Sequence, residues 1–93
     1  MMRVRVRIFG EISKIYGSRH TVELEEDSPV SSVIRRIQEK ARVEQSDYMG
    51  EWQVGSTELT ININGKNIDL MDGLKTKLHD NDDIIITTYA VGG

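Results

Sequence analysis

The residues best suited to chemistry lie at the end of the sequence, in Ala90-Val91-Gly92-Gly93. None has a large side chain, so an extended segment of this kind threads a narrow channel where a Cβ would collide. At a background glycine frequency of about 7%, two closing glycines arise by chance in roughly one chain in 200. The reactive group at such an end is the carboxyl itself. With an ordinary pKa of about 3.3 to 3.7 it is an anion at neutral pH, able to attack a phosphate but resistant to attack. Conversion to an acyl-adenylate by ATP supplies a leaving group, after which sulfur or an amine can add at the carbonyl. Five residues from Tyr89 to Gly93, if extended, reach roughly 17 Å. That length is enough to place the carboxylate inside another protein while the folded body stays outside. The sequence has no phosphate-binding glycine loop, so ATP is expected to be used by a separate activating enzyme, with no cofactor bound here.

Other reactive residue types are sparse. His20 and His79 are isolated from any serine and acid in triad order, so structural or surface roles are expected. Asp80 to Asp83 form an acidic run without the glycine and distal glutamate of an EF-hand loop; a solvated turn is expected, and no metal site. With no cysteine, thiolate nucleophiles, disulfides and zinc-thiolate sites are excluded. Arg3, Arg5 and Arg7 alternate with apolar residues, a pattern that serves solubility and edge protection or forms a binding stripe. Phe9 falls on the arginine phase, out of step with the apolar one. It is expected in an outer-face patch that binds a partner, the alternative being local packing against Tyr16. Tyr48 and Trp52 are read either as interface anchors or as cover for one end of the core.

The 93 residues make about one domain, and 38% hydrophobic with 29% charged residues is a globular composition. A net charge of −3 opposes nucleic-acid binding, which needs a basic surface. The alternating first residues lack the continuous apolar stretch of a signal peptide or membrane span, so no membrane partner and a cytoplasmic location are expected.

These groups must be positioned by a small set of elements. Val4, Val6 and Ile8 alternate with arginines in a first strand, and Val22 and Leu24 repeat the pattern in a second. The two are joined through a short helical turn or loop closed by Gly17, which suggests a hairpin. Asp27 or Ser28 as cap, Pro29, and apolar Val30, Val33, Ile34, Ile37 and Ala41 predict one long helix. Residues 44–58 show no period and read as a long loop. Leu59, Ile61 and Ile63 predict a third strand, turning at Asn64-Gly65 into a short return. Leu70, Leu74 and Leu78 recur every four residues around Asp72-Gly73, predicting a short helical turn. The last strand begins at Ile84-Ile85-Ile86, a β-branched run suited to a central strand covered on both sides. The expected fold class is α+β: a single sheet packed on one main helix.

In this order, "VRIFGEISKIYG", "DSPVSSVIRRIQ", "LTININGKNI" and above all "LHDNDDIIITTYAVGG" resemble the small sulfur carriers of the MoaD and ThiS type, relatives of ubiquitin. The resemblance covers nearly the whole chain and implies a β-grasp domain over residues 1–89 with a flexible tail at 90–93. It implies parallel first and last strands at the sheet centre, and a Gly93 that is adenylated and then thiocarboxylated. Ala90, Val91 and Gly92 would be the threading segment. The implied partners are a ubiquitin-activating-like adenylating enzyme and, in the MoaD branch, the large subunit of molybdopterin synthase, to whose reaction the carrier brings sulfur as the small subunit. The length favours the MoaD branch, while the tail departs from it in having no proline before the diglycine. Two other readings stay open: a ubiquitin-like modifier joined through Gly93 to lysines of target proteins, and a noncatalytic interaction domain. Lys66, Lys75 and Lys77 are themselves either acceptors of a modifier or ordinary surface residues.

Overall fold

The fold is taken from a computed structural model that describes residues 1–10, 12–41 and 60–87. Strand β1 (Met2–Phe9) buries every second residue, and β2 (Arg19–Leu24) lies antiparallel to it with Val22 opposite Val4. The short helix α1 (Ser13–Tyr16) joins them and ends at Gly17. There φ is +90°, a region that L side chains rarely adopt. Helix α2 (Val30–Ala41) carries the chain across one face of the sheet. Strand β3 (Thr60–Ile63) turns through Asn64-Gly65 into the two-residue β4 (Lys66–Asn67), and two 3-10 turns (Ile68–Leu70 and Gly73–Lys75) lead towards β5 (Asp83–Thr87). The sheet order is β2-β1-β5-β3-β4, with β1 and β5 parallel and the other pairs antiparallel. Parallel neighbours need a crossover, and here it contains the main helix.

One core fills the space between helix and sheet. Of the residues read as core from their periodicity, Val4, Val6, Ile8, Val22, Leu24, Val33, Ile37, Ile61, Ile63, Ile84 and Ile86 are buried, and Ile34 packs partly buried against them. Leu59 lies outside the described residues, as do Tyr48, Trp52 and the loop read at 44–58. Met2, Ile12, Tyr16, Val30, Ile68 and Leu78 complete the cluster.

Three expectations change. The short helical turn read around Asp72-Gly73 is not a single turn, and of its leucines only Leu78 is buried, with Leu70 74% and Leu74 40% exposed. The chain there forms two separate 3-10 turns, so a four-residue helical period does not carry across Asp72-Gly73. The start of α2 is held differently from a simple side-chain cap. Ser28 donates its hydroxyl back to the Glu25 carbonyl, while the Val30 N–H bonds to the Thr76 carbonyl at 3.0 Å. Finally, β5 is central, but its isoleucines alternate: Ile84 and Ile86 are buried and Ile85 is half-buried on the opposite face.

Candidate functional site

Because β1 and β5 are parallel, both point their C-terminal ends the same way. Phe9 pairs in register with Thr87 at that end, so the chain continues towards residues 90–93 from beside Phe9. The tail residues Ala90, Val91, Gly92 and Gly93 themselves lie outside the described residues. Phe9 is 48% exposed, as its phase implied, whereas Tyr16 is buried in the core. The strand that leads towards the tail, β5, is paired on both sides, with β1 and with β3.

The opposite end of the same strand pair is bound tightly. Asp80 accepts the Arg3 N–H at 2.7 Å, and the Asn81 N–H reaches the Arg3 carbonyl at 2.7 Å. Asp82, only 8% exposed, accepts the His79 N–H at 2.8 Å on one oxygen and the Asn64 amide at 2.9 Å on the other. Asn64 in turn accepts the Asp83 N–H at 2.9 Å. The acidic run is therefore a turn whose carboxylates tie three chain segments together, beyond the solvated turn read from its composition. Among the described residues no group of three or more His, Asp or Glu could hold a metal ion. Its Asn81 has φ +69°, a conformation asparagine tolerates better than most residues.

On the outer face, opposite the helix, the arginines of β1 differ. Arg3 pairs with Glu23 on β2 at 3.2 Å, and Arg5 makes a two-point contact with Asp83 on β5 at 2.9 and 3.4 Å. Arg7 has Arg19 and half-buried Ile85 as its cross-strand neighbours. Arg19 was not singled out in the sequence, and Ile85 was read there only as part of a central strand. Strand phase marks the face of each, but their neighbours follow only from the register. His20 is half-buried, and its Nε2 is buried without a hydrogen-bond partner; His79 is exposed. Lys66, Lys75 and Lys77 are exposed.

Residues 6–93 match the model of the ThiS family. The chain belongs to the ThiS family. Small archaeal modifier protein 1 of Methanosarcina acetivorans shares 28% identity and superposes with a TM-score of 0.73, over 100% of this chain and 98% of its own. A putative molybdopterin converting factor subunit 1 of Pyrococcus furiosus gives 18% identity and a TM-score of 0.71, over 97% of this chain and 100% of its own. In Helicobacter pylori a complex of subunits 1 and 2 of molybdopterin-converting factor contains a chain with 24% identity and a TM-score of 0.61, covering 99% of this chain and 100% of its own. No curated protein matches the sequence. This ThiS-family chain has the β-grasp, ubiquitin-like fold of the MoaD and ThiS type sulfur carriers. Among the described residues no helix is long and apolar enough to cross a membrane.

Proposed function

We propose that the chain is a sulfur carrier whose Gly93 carboxylate attacks the α-phosphate of ATP in a separate activating enzyme. Pyrophosphate leaves and an acyl-adenylate forms; a hydrosulfide-equivalent nucleophile then adds at the carbonyl, AMP departs, and a thiocarboxylate remains. The reading carries through to molybdopterin: the thiocarboxylate would donate its sulfur there beside a large synthase subunit. The observation that carries the proposal is the family match extending through Gly93 on a fold whose central strand leads into that segment. Support for the molybdopterin branch comes from the converting-factor subunits among the similar structures. Phe9, half-exposed beside the exit of the tail, would anchor the partner.

A modifier function is the second reading, favoured by the 28% identity to a protein named as an archaeal modifier. Both use the same acyl-adenylate and differ in whether sulfur or a lysine amine takes the acyl group. Intact mass of the protein purified from its native host separates them. One oxygen replaced by sulfur supports the carrier; a ladder of conjugates supports the modifier. Unmodified protein alone, together with no adenylation by the activating enzyme in vitro, would sink both and leave an interaction domain.

A further inference from the structure

Along the outer face of β1, intramolecular carboxylates stop short of the end where the tail leaves. Arg3 has Glu23 and Arg5 has Asp83, but Arg7 stands opposite Arg19 across the antiparallel ladder. Both are exposed, and neither has an ion pair among the described residues. Like charges directly opposite in a sheet repel, and a shared anion would reverse the sign of that interaction. A shallow cleft of about 500 Å³ is lined by Arg5, Arg7, Arg19, His20, Thr21 and Asp83. Phe9 lies two residues farther along the strand from Arg7, about 6.6 to 6.8 Å. An aromatic ring beside open guanidinium groups has the composition of a protein interface. Asp83 borders the same cleft, and with a net charge of −3 the chain opposes a phosphate backbone, whereas two neighbouring guanidinium groups suit a single planar carboxylate.

We infer that Arg7 and Arg19 form a paired clasp for an acidic side chain of the activating enzyme, seated beside Phe9 as the tail enters that enzyme. The inference rests on the proposed function and specifies the chemistry of its partner surface. The clasp would act in docking, without touching the reacting atoms.

The test is ATP–pyrophosphate exchange by the native-host activating enzyme on the wild type, Arg7→Gln/Arg19→Gln, Arg7→Lys/Arg19→Lys and Arg3→Gln. Loss of a charged hydrogen-bonded contact predicts a KM about tenfold higher for the double Gln variant. Its kcat should stay within about twofold, because uniform binding alone is lost. The Lys variant should fall between, and Arg3→Gln should match wild type. Amide spectra matching wild type establish that each variant is folded. Raising salt from about 50 to 300 mM should raise the wild-type KM more than that of the double Gln variant. An unchanged KM in the double Gln variant, or an equal rise in Arg3→Gln, would overturn the clasp while the proposed function stands. Competition by a single-stranded oligonucleotide for Arg7 and Arg19, in the absence of any effect of these variants on exchange, would overturn it in favour of a phosphate ligand. No exchange with wild type sinks both the clasp and the activation on which it rests.

Discussion

The two ends of the central strand pair are built from different kinds of contact. At the start of β5 the backbone and side chains of residues 79–83 bind β1 and the Asn64 turn through short hydrogen bonds, with Asp82 buried among them. At the other end, Phe9 keeps 48% of its surface exposed, and Arg7 faces Arg19. One end spends its polar groups inside the molecule and fixes the register; the other leaves apolar and cationic groups available. The comparison assigns stability to the acidic turn and recognition to the tail end, and it can be broken from either side.

The largest expected effect is on chemistry. Deleting Gly93, or adding one residue after it, displaces the carboxyl by about 3.3 to 3.6 Å. Since reacting atoms must meet within roughly 3 to 3.5 Å, adenylation should be abolished, with the melting temperature unchanged. Gly92→Ala adds a Cβ where the proposed channel is narrow, and should impair the reaction in the same assay. Equal product from these variants and wild type would remove the functional half of the comparison.

Next comes the core shared by both ends. Ile37 and Ile86 are fully buried, and Ile37→Ala or Ile86→Ala should each cost roughly 2 to 5 kcal/mol in denaturant unfolding. Asp82→Ala removes an acceptor from the His79 N–H and the Asn64 amide and should cost about 1 to 3 kcal/mol. Wild-type stability in that variant would show that the acidic turn does not hold the strand end in place.

Phe9→Ser should weaken binding to the activating enzyme while changing stability by no more than about 0.5 kcal/mol, as for a surface position. A large loss of stability would instead place Phe9 among the packing residues. The smallest effect is expected at the exposed Arg3–Glu23 pair, where Arg3→Gln should cost about 0 to 1 kcal/mol in the same unfolding measurement. A much larger cost would make the outer arginines a structural network.

Much of the fold was legible because burial on one face imposes a period. Val4, Val6 and Ile8 announced both a strand and its inner side, and the same alternation turned Phe9 outward. Asn64-Gly65 marked a turn through the positive φ that both residues adopt, 51° and 88°. Leucines 70, 74 and 78 marked a helical turn around Asp72-Gly73, but spacing alone did not report that it is two 3-10 turns or that only Leu78 is buried. Asp82 was hidden because its long-range partner Asn64 meets it only after β3 and β5 pair, although its contact with the His79 N–H is local to the turn.

The sequence by itself determined the residue types of the tail, the inner and outer phases of the long strands, and the single amphipathic helix. These are local consequences of strand and helix geometry, in which side chains repeat every 2 and 3.6 residues. Only the tertiary structure decided that Arg7 meets Arg19 and that Asp82 is buried. It also set Phe9 beside the strand that leads to Gly93. Those relations depend on which strands become neighbours and in what register. That choice is made by burying one common core from segments far apart in the chain, and no local period encodes it.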